Sequence, residues 1–402
     1  MRQLSVPRKI GLFVAILLFI RPLINPQPVQ AMTLSTQTSP SPLKTLYIPL
    51  ISKSSKPTSP TPTPTQPTMI HAVRVQYADY QNSQAEAPAI ETRLRNANVN
   101  LVGLSAGRVE WAYLNWRDHP EYVSSSVKIS GVDTLAADSA RYGQFAEINA
   151  VIDVFSPNYL KANPDKAAIN ALGQRNPNLV GTMELVEGNY GKLLLQMVDY
   201  IATNYPNVNS ISLTELSYRL DGYGLDELAS YQAYSGNKNW PRQSNGQITI
   251  DDPSISNWRS HIMDVYLDKL VAISHAHGKK FYLDVSLNWN NISNEANQGG
   301  ANYKLMLQHI DKLIVWGYYY LENIPPEFLT TAAQFLTRYG PDRIIMSIGM
   351  WGPNNSTMPA DLLARGIQAS IKGGMNAIWI TPSIMLDDTS WKVIAQLWST
   401  GN

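Results

Sequence analysis

Apolar residues recur with two alternating periods along most of this chain, and the pattern predicts a repeated strand–helix unit. Short apolar runs with a two-residue alternation predict strands, and stretches with apolar residues three and four positions apart predict helices. The predicted strands are Ala72–Tyr77, Val99–Leu104, Phe145–Val154, Ser210–Glu215, Lys280–Leu287, Lys312–Trp316, Arg343–Met350 and Ala377–Ile380. Eight strands alternating with helices predict an α/β fold, the (β/α)8 TIM barrel.

Glycines and prolines end the predicted helices where a barrel needs them to end. Gly278 precedes the fifth strand, Gly340-Pro341 the seventh and Gly373-Gly374 the eighth, as expected of helix stop signals. A doubly wound open sheet is the alternative fold. It should carry a glycine-rich phosphate turn after its first strand, and residues 78–81 are Ala-Asp-Tyr-Gln instead.

Alternation within the strands predicts an apolar face and a polar face. In the fifth strand, Phe281, Leu283, Val285 and Leu287 share one face, and Tyr282, Asp284, Ser286 and Asn288 share the other. The third and seventh strands divide in the same way. Since parallel barrel strands point alternate residues to the interior and to the outer helices, we expect a barrel interior that is polar enough to hold a site.

The first 68 residues have a different composition and predict two further segments. Basic residues precede eleven apolar residues, Ile10–Ile20, and Val29-Gln30-Ala31 follows, which is typical of a secretory signal peptide over residues 1–31. Eleven apolar residues are short for a bilayer span, which needs about 20, although an uncleaved anchor is the alternative. Residues 32–68 are rich in Ser, Thr and Pro and predict a disordered linker. The barrel domain would then cover residues 69–402, and the chain would be secreted or held at the cell surface.

The charge of the predicted domain makes nucleic acid a poor partner. Seven of the 32 basic residues precede residue 69, whereas all 31 acidic residues follow it, so the domain has a net charge of about −6. A basic stripe for a phosphate backbone is missing from this pattern. The chain has no cysteine, which excludes disulfides and thiolate metal sites.

Three acids at the carboxyl ends of predicted strands are candidates for catalysis, since this is where barrels of this kind carry out chemistry. Glu215 closes the fourth strand, Asp284 lies in the fifth and Asp153 in the third. Strict alternation would turn Glu215 outward if Ser212 and Thr214 face inward, unless the strand end bends. The structural alternatives are a salt bridge from Glu215 to Arg219 and a buried Asp284 hydrogen-bonded to Arg74 or Ser286.

Aromatic and polar residues near the same strand ends are candidates for binding a ligand. Acids among Trp and Tyr suit sugars, because flat rings stack on pyranose faces and acids protonate a glycosidic oxygen or activate water. Filling of an ordinary core is the alternative role for the aromatic residues. The predicted binding residues are Arg74, Asn149, Tyr218, Asn288, Trp289, Trp316, Tyr318, Trp351 and Trp379. Asp79, Arg108 and Glu110 also follow strands, without a role that the sequence assigns.

Several other chemistries lack support in the sequence. Neither a His-Glu-x-x-His motif nor a Gly-x-Ser-x-Gly turn occurs, so metalloprotease and α/β-hydrolase mechanisms are not favoured. His275 and His277 lie near a predicted helix C-terminus, where a cationic ring is favoured by the dipole. We therefore expect no metal site, no cofactor and no obligate protein partner.

Three segments resemble the bacterial secreted "family ten-like" glycosyl hydrolase barrels. They are residues 148–153, residues 179–181 and the run from Val208 to Arg219, and the sixth strand, Asp311–Tyr318, is also similar to its counterpart in that family. The resemblance spans residues 70–400 in outline. It implies a TIM barrel that acts on a polysaccharide or oligosaccharide.

The chain also departs from the patterns of related barrels. Asn209-Ser210 stands where the family has Asp-Gly, and Thr214-Glu215 stands where it has paired acids. The Asp-x-Asp-x-Glu signature of family 18 is missing, and Met350-Trp351 ends the strand where a two-glutamate retaining barrel has its second Glu. Three hypotheses remain open: a secreted glycoside hydrolase, a glycan-binding barrel without catalysis, and a tethered structural domain.

Overall fold

A computed structural model describes residues 69–75, 87–216, 218, 220–294 and 302–399. The predicted signal peptide and linker, together with Asp79 and Arg219, lie outside these residues. Among the described residues, no helix combines the length and the apolar character needed to cross a bilayer.

The described residues form a (β/α)8 TIM barrel, as the alternation of strands and helices predicted. The strands are β1 (Ile70–Val75), β2 (Leu101–Arg108), β3 (Trp111–Ala112), β4 (Glu147–Asp153), β5 (Ala167–Ile169), β6 (Arg175–Val180), β7 (Ser210–Thr214), β8 (Lys280–Ser286), β9 (Lys312–Trp316), β10 (Ile344–Gly349) and β11 (Ala377–Thr381). The parallel barrel order is β1-β2-β4-β7-β8-β9-β10-β11, and β1 pairs with both β2 and β11 to close the sheet.

Helices follow the strands and cover the barrel. They are α1 (Ala87–Asn96), α2 (Ser125–Ser130), α3 (Thr134–Arg141), α4 (Pro157–Ala162), α5 (Thr182–Val186), α6 (Asn189–Asn204), α7 (Leu225–Ser235), α8 (Pro253–Ala276), α9 (Tyr303–His309), α10 (Phe328–Leu336), α11 (Ala360–Lys372) and α12 (Asp388–Ser399). Each predicted barrel strand is confirmed to within a few residues.

The strands have one face that packs against the helices and one that lines the barrel interior, as the alternation predicted. Phe281, Leu283 and Val285 of β8 belong to the large apolar layer between strands and helices. Tyr282, on the opposite face, packs inside the barrel with Ile314 and Trp379. Polar side chains share this interior: Asn149 donates to the Ser210 hydroxyl (2.9 Å) and accepts from the Ser212 hydroxyl (2.8 Å).

Two additions to the barrel were not predicted. The first is a two-stranded antiparallel sheet of β5 and β6. The second follows β7, where α7 and the start of α8 enclose a separate apolar cluster that includes Tyr231, Trp240 and Trp258. Tyr231 and Trp240 stack with ring centroids 4.6 Å apart. Both additions lie in connections that follow barrel strands at their carboxyl ends.

Candidate active site

The residues at the carboxyl ends of the barrel strands bring three acids, an arginine, a tryptophan and three hydroxyl groups to one end of the barrel, which we call the mouth. Strand register places Asp153 beside Thr214, and Ser347 beside both Trp316 and Trp379. The members of this set, taken in strand order, are Arg74, Asp153, Thr214, Asp284, Trp316, Ser347 and Thr381. Glu215 joins them from the residue after β7.

Glu215 faces the mouth because the chain leaves the strand geometry at this residue. Its φ is +70°, a left-handed conformation that is uncommon for residues other than glycine and costs free energy. The bend removes the outward direction that strict alternation would give. Asp153, Arg74 and Asp284 all act on its pKa, which places the carboxyl among them. The predicted alternative, a salt bridge to Arg219, lies outside the described residues.

The Glu215 carboxyl is held in its protonated form at neutral pH. Burial raises its pKa to about 8, and the negative charge of Asp153 adds to the rise. The Arg74 guanidinium opposes the shift, Asp284 adds to it and Arg108 opposes it. Desolvation and like charge together exceed the effect of the two arginines. A carboxylic acid at neutral pH can donate a proton.

Asp284 is a second buried acid with a raised pKa. Its side chain is 8% exposed, and burial raises its pKa to about 7 against the opposing effects of Arg74, Trp316 and Thr214. The indole N–H of Trp316 lies close enough to favour the charged form, but it lacks the geometry of a full hydrogen bond, and Asp284 Oδ1 accepts none from a described residue. The predicted alternative of a hydrogen bond from Ser286 is also not seen, since the Ser286 hydroxyl has no partner in the described part of the chain.

Asp153 differs from the other two acids because both of its oxygens are engaged. Arg108 Nε donates a hydrogen bond to Oδ2 at 2.8 Å, and Arg108 Nη2 forms an ion pair with the same oxygen at 2.8 Å. The backbone N–H of Phe155 donates to Oδ1 at 2.8 Å. Asp153 is therefore an ion-paired carboxylate rather than a free one.

Aromatic rings form one side of the mouth, on the strands β9 and β10. Trp316 and Tyr318 stack with centroids 5.5 Å apart and planes at 10°. The ring centroids of Trp351 and Tyr318 are 5.5 Å apart, and the two ring planes form an angle of 59°. Burial raises the pKa of Tyr318 well above its usual value, and the charges of Asp284 and Glu215 add to that rise. The phenol ring thus lies beside both acids, and Trp316, Tyr318 and Trp351 make up what we call the aromatic wall.

Two further predicted binding residues lie on the connection after β8. Trp289 is partly buried and stacks on Phe328 with centroids 6.3 Å apart. Asn288 accepts a hydrogen bond from the backbone N–H of Asn291 at 3.2 Å. Both residues keep some exposed surface at the carboxyl end of β8.

The structure places three predicted binding residues away from any ligand-accessible surface. Asn149 is fully buried in the barrel interior and hydrogen-bonded to two serines. Trp379 is 3% exposed and fills the interior, where a Cβ on Gly103 would come within 2.4 Å of its ring. Tyr218 is 3% exposed and belongs to the outer apolar layer. All three side chains thus occupy packing positions in this structure, and their predicted role in binding stays a prediction.

Groups that the sequence did not assign to the site also face it. The Thr214 hydroxyl acts to lower the pKa of Asp284, and the Ser347 hydroxyl acts to lower the pKa of Tyr318. Glu110 has its pKa raised, first by burial, and interacts with Arg108 and Asp153. Strand alternation could have identified Thr214 and Ser347 as site residues, since both face the barrel interior near the carboxyl ends of their strands.

The mouth leaves several polar atoms without a described partner. Within the described ranges, no three His, Asp or Glu side chains are grouped as a metal site requires. Its unpartnered polar atoms include Arg74 Nε, Ser286 Oγ and Thr381 Oγ1, which make no hydrogen bond to another described residue. Such a scatter of donors and acceptors beside aromatic rings suits a polar organic ligand.

Comparisons with known proteins agree on the fold. No family model matches the chain, and no curated protein matches it. Among solved structures, the PgaB (BpsB) glycoside hydrolase domain from Bordetella bronchiseptica is similar over 84% of this chain and 100% of its own, with 12% identity and a TM-score of 0.62. The β-amylase catalytic domain from Paenibacillus polymyxa is similar over 81% and 96%, with 12% identity and a TM-score of 0.55.

A third similar structure is a larger protein. The β-galactosidase from Marinomonas ef1 has 11% identity and a TM-score of 0.59, and the match covers 82% of this chain but 59% of that one. At these identities the likeness is one of fold. The comparison with solved structures therefore supports the (β/α)8 TIM barrel fold.

Proposed function

We propose that this chain is a glycoside hydrolase that cleaves a polysaccharide or oligosaccharide, with Glu215 as proton donor and Asp284 as the second carboxylate. The observation that carries the proposal is the pair of acids at one barrel mouth whose pKa values are raised to about 8 and about 7. Glycoside hydrolysis requires two such carboxyl groups, one protonated and one ionised.

The two acids would divide the reaction between them. Glu215 donates its proton to the glycosidic oxygen as the bond to the anomeric carbon breaks, so the leaving sugar departs as an alcohol. The Asp284 carboxylate either attacks the anomeric carbon or removes a proton from the attacking water. Asp284 is the better second carboxylate, because Arg108 and the Phe155 N–H occupy both oxygens of Asp153.

The aromatic wall would hold the sugar over the acids. Trp351 and Tyr318 keep part of their surface exposed, whereas Trp316 is buried behind them. A sugar ring stacked on this wall would lie beside Asp284 and Glu215, both of which act on the Tyr318 hydroxyl. The three glycoside hydrolase structures with the same fold support this class of ligand.

The proposed site of action is outside the cell. The basic, apolar and small-residue pattern of residues 1–31 supports export, and the Pro- and Thr-rich segment to residue 68 supports a tether or spacer. An extracellular or surface-held hydrolase would meet polysaccharides there. Signal processing of the full chain, measured by mass spectrometry of the exported protein, tests this part.

A glycan-binding barrel without catalysis is the second candidate. The observation in its favour is the end of β10, where the buried Met350 and then Trp351 follow the strand and bring no acid to the mouth. The raised pKa values of Glu215 and Asp284 favour the enzyme, since a purely binding site gains nothing from two protonatable acids.

Release of reducing sugar from a panel of glycans tests the proposal. We expect wild type to act on at least one glycan, and Glu215→Gln to lose that activity. Asp138→Asn is the matched control, because Asp138 is a carboxyl on α3 whose pKa is also raised by burial. Binding of a glycan without turnover would favour the second candidate, and equal activity of wild type and Glu215→Gln would remove Glu215 from catalysis.

A further inference from the structure

The backbone at the carboxyl end of β2 orients the side chain of Arg108. The register of β2 against β4 shifts between Ser105 and Gly107, which is a β-bulge. Gly107 has φ +90°, and a Cβ there would lie 2.3 Å from the Trp111 carbonyl oxygen, so only glycine fits. The bulge re-aims the next side chain, as bulges near active sites do.

The guanidinium of Arg108 is held on two sides. Its Nε and Nη2 atoms both lie 2.8 Å from Asp153 Oδ2, and its Cζ lies 5.8 Å from the ring centre of Phe155. The side chains of Arg108 and Asp153 are 22% and 20% exposed. This is a largely buried pair with a defined geometry, unlike a surface ion pair that solvent screens.

The geometry leaves Asp153 little capacity to act on a substrate. Oδ2 accepts a hydrogen bond from Arg108 Nε and forms an ion pair with Nη2, and Oδ1 accepts a hydrogen bond from the Phe155 N–H. Asp153 is thus an ion-paired carboxylate at the end of β4, and strand register places it beside Thr214, the residue before Glu215.

We propose that Asp153 is a positioning residue: Arg108 and the Phe155 N–H hold its carboxylate beside the strand end that carries Glu215, where it acts on the Glu215 carboxyl rather than on a substrate. This inference rests on the proposed function of Glu215 but assigns Asp153 a role other than nucleophile or base. Arg108 has the opposite effect on Glu215 through its own charge, and it fixes where the Asp153 charge stands.

The other charged groups that face Glu215 come from every neighbouring strand. Arg74 on β1 and Arg108 on β2 lower its pKa, whereas Asp153 on β4 and Asp284 on β8 raise it. Asp153 is the largest of these four influences after burial, and the Tyr318 hydroxyl after β9 also faces the carboxyl. Replacement of Asp153 should therefore lower the pKa at which Glu215 titrates.

A carbon-13 NMR titration of the Glu side-chain carboxyls tests this directly and requires no substrate. The Glu215 signal is the one missing from the Glu215→Gln spectrum. We expect Asp153→Asn to lower the Glu215 pKa by about one pH unit or more, and Arg108→Gln to raise it. Asp138→Asn should leave it unchanged. Shifts of equal sign in Asp153→Asn and Arg108→Gln, or no shift in either, would overturn the inference.

Kinetics on a cleaved glycan give a second readout. A positioning role predicts that Asp153→Asn moves the alkaline limb of the kcat/KM profile to lower pH, so that the loss grows with pH. A nucleophile or base predicts instead a loss of about 100-fold or more at every pH, which would contradict the inference. If no glycan is cleaved by wild type, the proposed function fails, while the NMR titration still decides the role of Asp153.

Discussion

Gly349 carries no side chain at the point where the ring of Tyr318 lies flat against β10. A Cβ at residue 349 would come within 2.7 Å of Tyr318 Cδ1 and 2.9 Å of Cε1. Real Cβ atoms essentially never make contacts this short. The phenol ring can therefore lie this close to the β10 backbone only because residue 349 is glycine. The ring in turn stacks on Trp316 and lies beside both proposed catalytic acids.

Gly349→Ala should therefore impair catalysis by moving Tyr318. We expect kcat/KM to fall by about 10- to 100-fold, because displacements near 1 Å in a site cost this much. Steady-state kinetics on the best glycan measure it. Unchanged kinetics in a folded Gly349→Ala variant would show that the position of Tyr318 does not matter.

Trp351→Ala should weaken glycan binding with little effect on the fold. The indole is partly exposed at the end of the aromatic wall and contacts Tyr318 at 5.5 Å, so we expect Kd to rise about tenfold. Calorimetry with an oligosaccharide and the non-cleaving Glu215→Gln background measures it. Tyr234→Ala is the control, since Tyr234 is an exposed ring on α7 that stacks on His261. Equal effects of the two variants would argue against a binding role of the wall.

The two raised pKa values predict a bell-shaped pH profile with its maximum between about pH 7 and pH 8. Asp284 must be ionised, and burial raises its pKa to about 7, so activity falls on the acid side. Glu215 must be protonated, and its pKa is raised to about 8, so activity falls on the alkaline side. Because Glu215 and Asp284 interact, the two apparent pKa values of the profile describe the pair and not the individual residues. A maximum near pH 5 in the kcat/KM profile would contradict this assignment.

The same shifts predict that the acids lower stability at alkaline pH. The folded pKa of Glu215 is raised from 4.5 to about 8, so between these values the folded state binds more protons, and stability falls as the pH rises. Glu215→Gln removes this cost, and we expect it to be more stable than wild type by roughly 2 kcal/mol at pH 8 but by much less at pH 5. Chemical unfolding at both pH values measures the difference. A Glu215→Gln variant that is less stable at pH 8 would contradict the prediction.

The strand pattern was sufficient to predict the barrel, because burial imposes its period on the sequence. Phe281 and Leu283 had to face helices, and Tyr282 and Asp284 had to face the interior, once β8 lay in a closed parallel sheet. The segments that connect strands and helices show no such regular spacing of apolar residues. The aromatic cluster around Trp240 and the β5–β6 sheet are held by local contacts that an apolar periodicity does not reveal.

Depth within the barrel separates Asn149 and Trp379 from the other predicted binding residues. Both face inward, as alternation predicted, but facing inward does not place a residue at the mouth. Asn149 precedes Asp153 by four residues and lies about 13 Å below it along the strand. Trp379 lies one layer below Thr381 on β11, where its ring fills the interior against Gly103. The distance from the strand end is the signal that would have separated them.

Glu215 is the residue that the sequence could place but not orient. The alternation of Ser212 and Thr214 pointed it outward, and only the backbone conformation at φ +70° returns it to the mouth. The sequence does not predict this conformation, because a positive φ is favoured by glycine and not by glutamate. Because this backbone conformation costs free energy, it supports the hypothesis that Glu215 has a functional role.

The most direct test of the proposed mechanism compares two kinds of leaving group in Glu215→Gln. A dinitrophenyl glycoside needs no proton to release its leaving group, whereas a natural glycan or an alkyl glycoside does. We predict that Glu215→Gln loses about 100- to 10,000-fold in kcat/KM on the natural glycan but retains most of its activity on the dinitrophenyl glycoside of the same sugar. Equal losses on both substrates, or no loss on either, would contradict Glu215 as the proton donor.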